Sequence, residues 1–323
     1  MVHRRDPSQG LRFIRCTAAG ETYCLRMLWI RGIRRIEELQ KQQDTSGAVG
    51  WIESDAGPMP VFYLAAQLHP TQEMTPCSGK ILVLNTAPHP WGMLVDDVDN
   101  VIQVEVEALL PIPPIVGPLA RAWFEGVVKL AGGMELVLAP EGLQPETPTA
   151  SSQPLLFDQT LDMIHSVASV SVERGSQRKI VLFSTSPNSD FTFGLSLTQV
   201  PQIMQRLPIL PLPGAAPYVL GIAAWRGVPL AIIDLPCLMG DTSAAVATDG
   251  RLLIVRVPTQ RLCIGFPIQP QVSIRTLPLS HHLIDSPMPL QESWVRGKFN
   301  LDSTTLVIPN IDGMLVPSCE SPV

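Results

Sequence analysis

The chain has 323 residues, a net charge of −6, 46% hydrophobic residues and a mean hydropathy of +0.21. This length suits two domains of ordinary size, and the negative charge argues against general nucleic-acid binding. No apolar run reaches the roughly 18 residues that a membrane-spanning helix needs, and no apolar stretch follows the basic residues 1–10, so we expect neither a spanning helix nor a signal peptide. The 32 prolines and 23 glycines interrupt the sequence often, which predicts an all-β fold of short strands.

The first predicted strands begin near Leu11 and continue through an alternating apolar pattern around Tyr23. A similar pattern returns in the second half of the chain. Phe183 lies 170 residues after Phe13, and Phe193 lies 170 residues after Tyr23. We therefore predict that these two pairs of aromatic residues occupy equivalent places in a repeat.

Two further blocks repeat at nearly the same spacing. Gly50–Leu64 matches Gly221–Leu235 at an offset of 171, and Trp123–Gly126 matches Trp294–Gly297 at the same offset. Three blocks at nearly one offset predict a tandem duplication. Gly50 should then superpose on Gly221, and Trp123 on Trp294.

Between the two copies, Pro140–Pro154 is rich in proline, serine, threonine and glutamate, so it is predicted to be a linker that joins no core. We expect a first domain over residues 1–143, a linker over 144–177 and a second domain over 178–318. Apolar residues at helical spacing predict an amphipathic helix over Leu155–Val170. Such a helix would either pack against one of the domains or bind in a groove of a partner.

The most informative stretch lies in the second copy. Val219–Leu220 and Leu230–Ile233 are predicted to be buried strands, and Trp225–Pro229 between them predicts a turn because glycine and proline favour chain reversal. An arginine in such a turn presents a planar head with five donors to whatever docks there, and tryptophan with arginine is typical of interface anchors. Alternatively, Arg226 only pairs with a neighbouring carboxylate.

Catalytic and metal-binding motifs are absent from the sequence: there is no Gly-x-Ser-x-Gly, H-E-x-x-H or Walker loop. The acidic segment Asp96–Asp99 alternates with valines, which indicates strand ends with carboxylates facing solvent rather than a metal site. His281 and His282 are expected in a surface loop. The six cysteines form no C-x-x-C pair, so we expect reduced thiols in a cytoplasmic protein. We predict no catalytic residue, no metal and no cofactor.

The turn and its flanks resemble the central signature of the CheW-like adaptor domains of bacterial chemotaxis. In that signature a glycine precedes Arg-Gly, apolar residues around a proline and then Asp-Leu, which here are Gly221, Arg226, Gly227 and Ile233–Leu235. The family's usual Asn-Leu before the arginine is replaced by Ala224-Trp225, and its later proline by Ala231.

The first copy resembles a second hallmark of the family. Gly92–Ile102 is similar to the family's strand pair built on Gly-x-x-Val-Asp-x-Val. Arg226, however, falls opposite Asp55 in the first copy, so the family arginine is replaced there by the opposite charge. The resemblance covers about Leu11–Leu143 and about Arg178–Leu315.

The resemblance implies that each copy consists of two small five-stranded β-barrels around a shared core. It also implies a non-enzymatic scaffold for two-component signal transduction. The partners would be a CheA-type histidine kinase and the cytoplasmic tip of transmembrane chemoreceptors. The residues expected to bind a partner are Trp225, Arg226, Gly227 and Asp234.

Two other classes of protein stay open. One is a regulatory or array-organising interaction protein that has lost receptor or kinase coupling, because the signature is worn in the first copy. The other is a β-rich enzyme that uses a cysteine or a carboxylate. Recovery of kinase and receptor from a cell lysate would favour the adaptor.

Overall fold

A computed structural model describes residues 10–41, 47–54, 57–72, 74, 76, 78–86, 89–144, 177–186, 191–241, 250–257, 259, 262–278, 294–301 and 304–314. Strands dominate these residues, and the helices are short. The all-β fold predicted from the spacing of turns is therefore confirmed. We refer to residues 10–144 as the first copy and to residues 177–314 as the second copy.

The first copy contains eleven strands and three α-helices within its described residues. The strands are β1 (Leu11–Ala18), β2 (Glu21–Arg26), β3 (Ile30–Arg35), β4 (Gly50–Ser54), β5 (Gly57–Tyr63), β6 (Lys80–Leu84), β7 (Trp91–Val95), β8 (Asp97–Val104), β9 (Leu109–Leu110), β10 (Phe124–Leu130) and β11 (Gly133–Leu138). The helices are α1 (Leu64–Leu68), α2 (Pro118–Trp123) and α3 (Pro140–Leu143), with 3₁₀ turns at Met27–Trp29, Ile36–Glu38, Val106–Ala108 and Pro114–Val116.

The second copy follows the same order. Its described strands are β12 (Gln177–Phe183), β13 (Phe191–Ser196), β14 (Gln202–Gln205), β15 (Val219–Trp225), β16 (Val228–Ile233), β17 (Arg251–Val257), β18 (Leu262–Ile268), β19 (Val272–Pro278), β20 (Val295–Leu301) and β21 (Thr304–Pro309). Helices α4 (Leu235–Leu238) and α5 (Ile311–Met314) and a 3₁₀ turn at Leu197–Gln199 complete it.

Each copy folds into two sheets. In the first copy the strand orders are β8-β1-β2-β11-β10-β9 and β3-β6-β7-β5-β4, and in the second copy they are β19-β12-β13-β21-β20 and β14-β17-β18-β16-β15. The short strand β9 is the one addition to the five-stranded pattern. In each sheet a parallel pair joins antiparallel hairpins, such as β5 with β7 and β16 with β18.

Position along the sheet explains the burial of the strands. Every residue of the central strand β7 is buried, because neighbouring strands and both faces of the sheet cover it. The edge strand β8 alternates partly buried and exposed residues and carries exposed Asp97 and Asp99. Charges on an edge strand oppose pairing with another chain.

The tandem duplication is confirmed in detail by the strand registers. Gly50 pairs with Val61 and Gly221 faces Ile232, so both pairs keep the offset of 171. The strands β10 and β20 each carry a register shift one residue after their start, at Phe124/Gly126 and Val295/Gly297. The carbonyl oxygens of Trp123 and Trp294 accept hydrogen bonds from Ala139 and Asn310, which are also 171 residues apart.

One predicted equivalence is wrong. Phe193 does correspond to Tyr23, because they pair with Val307 and Leu136 in the parallel ladders. Phe183, however, pairs with Phe193 as Cys16 pairs with Tyr23, so Phe183 corresponds to Cys16 and not to Phe13. The hairpin turn is three residues longer in the second copy, and this insertion shifts the aromatic residues into a coincidental match.

The main hydrophobic cluster extends from the first copy into the second. It includes Val116 and Ala120 of the first copy and Leu212 and Leu235 of the second, all buried. Within one copy it joins residues of both sheets. Two smaller clusters lie inside single sheets, one around Phe13 in the first copy and one around Ile232 in the second.

The predicted linker begins too early. Pro140 and Leu143 lie in α3 and are buried, and Gly142 lies against the backbone of Ala122 in α2. The chain therefore joins the core of the first copy as far as Leu143. Most of the linker, including the predicted helix over Leu155–Val170, lies outside the described residues.

Several local features bear on the other sequence predictions. In the described part of the chain no helix is long and apolar enough to span a membrane, and no three potential metal ligands cluster. Asp96 accepts hydrogen bonds from the Tyr63 hydroxyl at 2.5 Å and from the Ala19 amide at 2.9 Å, so it fixes the β1–β2 turn. Burial raises the pKa of the Cys16 thiol to about 12, which makes this free thiol unreactive.

Candidate partner-binding turn

The turn predicted around Arg226 is the tip of the β15–β16 hairpin. Trp225 pairs with Val228, and the two residues between them have positive φ, 49° for Arg226 and 82° for Gly227. Positive φ at both central residues defines the type I′ turn, whose twist matches that of the flanking strands. Glycine adopts this conformation freely, but an arginine there costs about 1–2 kcal/mol because its Cβ crowds the following carbonyl.

The Arg226 side chain is exposed and held by two neighbours. Its guanidinium carbon lies 4.8 Å from the centre of the Trp225 ring, a cation–π distance. Its Nη2 donates to Oε1 of Gln202 at 3.3 Å, and the indole Nε1 of Trp225 donates to the same oxygen at 3.1 Å. The amide of Gln202 therefore orients both side chains.

The position of Gln202 also explains how the turn is built. Gln202 lies in β14 and Trp225 in β15, which are opposite edges of one five-stranded sheet. Their side chains meet only because the sheet curls round on itself. The pairing of distant strands thus places three side chains at one rim of the sheet.

The charge of Arg226 is not neutralised by a carboxylate of the described residues. Its hydrogen-bond acceptor there is the neutral amide of Gln202. A Cβ on Gly227 would lie 3.3 Å from Nζ of Lys129 in the first copy, so a second cation borders the turn. The rim therefore presents positive charge, which fits the interpretation of Arg226 as a contact residue better than that of an internal ion pair.

Asp234 lies apart from the turn. It follows the far end of β16, on the order of 20 Å from Val228 at about 3.3 Å per residue. Its side chain accepts from the backbone N–H of Cys237 at 3.3 Å and caps the short helix α4. Burial raises the pKa of Asp234, and the N–H of Cys237 partly offsets this rise.

The structure thus brings Trp225, Arg226 and Gly227 together and separates Asp234 from them. Gln202 and Lys129 were missed by the sequence reasoning. Neither could be found from a local pattern, because one lies on a distant strand and the other in the other copy. Asp234 could have been recognised as a cap, since it precedes Leu-Pro at the start of a helix.

The corresponding hairpin of the first copy is β4–β5. Ser54 pairs with Gly57, and the Ser54 hydroxyl donates to the carbonyl oxygen of Gly57 at 2.6 Å. Asp55, which stands at the place of Arg226, lies outside the described residues.

The turn lies close to the contact between the two copies. The segment before β15 packs against α2 and the preceding 3₁₀ turn of the first copy: the N–H of Ala216 donates to the carbonyl oxygen of Val116 at 2.9 Å. A Cβ on Gly214 would lie 2.8 Å from the ring of Trp123, so the chain passes directly over that indole. Both copies therefore contribute surface near the turn.

The sequence and the fold were compared with known proteins. The model of the CheW-like domain family matches residues 12–146 and again residues 180–317. Among solved structures, the chain is similar to the scaffolding protein TtCheW from Thermoanaerobacter tengcongensis, with 21% sequence identity and a TM-score of 0.38 over 44% of this chain and 92% of that chain. No curated protein matches.

Proposed function

Because the chain belongs to the CheW-like domain family and contains two such domains in tandem, we propose that it is a non-enzymatic scaffold of chemotaxis-type signal transduction. In this proposal it couples chemoreceptors to a CheA-type histidine kinase in the cytoplasm. Its mechanism is association alone, and no catalytic step is involved. The Trp225–Gly227 turn of the second copy is the surface that binds one of these partners.

The observation that carries the proposal is the conformation of Arg226. A strained arginine that is exposed and ordered by a tryptophan and an amide contributes little to the fold that glycine or asparagine could not provide. Strained backbone is retained where it serves a function. Orientation by Gln202 also reduces the side-chain entropy that the arginine loses when a partner binds.

The two copies are proposed to bind differently. A partner carboxylate that pairs with Arg226 would be repelled by Asp55 at the equivalent position of the first copy. Breaking a desolvated charge pair across an interface costs on the order of 2–5 kcal/mol, whereas an exposed pair contributes about 0–1 kcal/mol. The second copy therefore carries the arginine-dependent contact, and the first copy binds another partner or its sibling copy.

The test is calorimetric titration of the full chain with a purified CheA-type kinase and with a purified receptor tip from the same organism. Arg226→Ala should weaken one of these interactions at least tenfold, or about 1.4 kcal/mol. Asp55→Ala is the matched control and should leave that affinity unchanged. Equal affinities of the wild-type chain and Arg226→Ala for both partners would refute the proposed role of the turn, and failure of the wild-type chain to bind either would refute the adaptor.

A further inference from the structure

The two copies differ sharply in charge along three corresponding strands. From β17 to β19, residues 251–278 of the second copy contain four arginines and no acidic residue. From β6 to β8, residues 80–104 of the first copy contain one lysine and three aspartates. The same strands therefore present a basic surface in one copy and an acidic one in the other.

In the first copy the cation is neutralised within the fold. Nζ of Lys80 lies 3.0 Å from Oδ1 of Asp97 and donates to the carbonyl oxygen of Val98 at 3.3 Å. Hydrogen bonds from Lys80 and from the N–H of Val98 hold the pKa of Asp97 below its usual value. Both charges of this edge are thus engaged with each other.

The second copy keeps the cation and loses its counter-ion. Lys80 pairs with Val95 as Arg251 pairs with Ile268, so Arg251 stands in the place of Lys80. In the position of Asp97 the second copy has Pro270–Gln271, which follows from the register of β19 on β12. Within the described residues, Arg251 forms no ion pair.

Arg251 borders a groove of about 620 Å³ that opens to solvent. Along one wall, Gln271, Ser273 and Arg275 alternate on the edge strand β19, so their side chains repeat about every 6.6 Å on one face. Hydroxyl groups of Thr192 and Thr304 lie on the opposite side. The groove is therefore basic, rich in donors and parallel to a strand edge.

We propose that this groove binds an extended acidic segment of a partner protein, laid along β19 with its carboxylates toward Arg251 and Arg275. An added strand would use the backbone groups at the sheet edge for affinity and alternate side chains for specificity. The guanidinium forks match the geometry of carboxylates. The repeat of the donors along the strand favours an extended chain over a compact anion, and the site is independent of the turn at Arg226.

The test is fluorescence anisotropy of the full chain with a fluorescein-labelled eight-residue peptide that alternates glutamate and threonine. Binding should saturate and should weaken as salt is raised, because the charges are exposed. Arg251→Gln should weaken it about fivefold or more. Gln271→Glu should have at least the same effect, since it restores the acidic partner that the first copy has.

Two controls keep the result specific. Lys80→Gln alters the equivalent cation of the first copy and should leave the affinity unchanged, as should Arg226→Gly. Equal affinities of the wild-type chain, Arg251→Gln and Gln271→Glu would overturn the proposal. So would equal binding of a peptide with glutamine in place of glutamate, or displacement of the peptide by an equal concentration of inorganic phosphate, which would indicate a simple anion site.

Discussion

Gly50 and Gly221 are held in the same way in the two copies. Each has a positive φ, and a Cβ on either would overlap a backbone carbonyl oxygen, that of Gln40 in the first copy and of Leu210 in the second. Those two residues form matching isolated bridges just before their hairpins. Duplication has therefore preserved a close backbone approach that only glycine permits.

We expect Gly50→Ala and Gly221→Ala to lower the free energy of unfolding by roughly 1–3 kcal/mol each, because backbone must move in both cases. Chemical denaturation followed by circular dichroism measures this change. Gly32→Ala is a suitable control, since no atom lies within 4 Å of its added Cβ. A loss confined to one copy would show that the equivalence is one of sequence alone.

Arg226→Asn should leave the free energy of unfolding unchanged or raise it by up to about 1 kcal/mol. Asparagine relieves the strain of the type I′ turn, and this gain offsets the lost cation–π contact, which is worth about 0.5–1 kcal/mol at an exposed site. The same variant should lose partner binding. A destabilisation clearly above 1 kcal/mol would mean that the arginine serves the fold.

Gly214→Ala should loosen the contact between the copies. Its φ is 70°, and the added Cβ would lie 2.8 Å from the ring of Trp123. We expect faster hydrogen exchange at the Ala216 amide, which donates across the contact to Val116. Amides in the β1–β2 hairpin serve as the internal reference, and unchanged exchange at Ala216 would contradict this role of Gly214.

Asp234→Asn should change how stability depends on pH. Burial raises the pKa of the native carboxyl above its unfolded value, so the native state holds the proton more tightly. The stabilisation is complete below the unfolded pKa, about 3.9, and disappears as pH rises through the native pKa. Asparagine still caps the helix but does not titrate.

Relative to this variant, the wild-type chain should therefore lose stability as pH increases through that window. Parallel pH series of thermal unfolding would check the sign. A wild-type chain that gains stability with rising pH relative to Asp234→Asn would show that the cap favours the charged form. If Asp234→Asn also binds partners normally, Asp234 is a capping residue and not a contact residue.

The repeat could be predicted from the sequence because glycine and tryptophan mark fixed backbone features. Gly221 is required by a close approach, and Trp294 starts a bulged strand, so both survive divergence. Phe183 misled the alignment because aromatic residues are interchangeable on a buried face, whereas turn lengths change freely. Register, not residue type, identifies its counterpart as Cys16.

The surroundings of Arg226 could not be predicted in the same way. Gln202 reaches the turn only because two edges of a sheet meet, and Lys129 reaches it because two copies pack together. Both contacts depend on tertiary geometry that no spacing along the chain encodes. The missing counter-ion of Arg251 is likewise visible only once the register of β19 identifies the place of Asp97.

The contact between the copies joins unlike surfaces, the helix α2 of the first copy and the segment before β15 of the second. In a two-fold symmetric pair every substitution would appear on both sides of the contact, but here each side can change alone. The pair consequently has a direction, and exchanging the order of the copies would not rebuild the same contact. This polarity released the two halves from a common set of constraints, so opposite charges could become fixed at positions that began as identical.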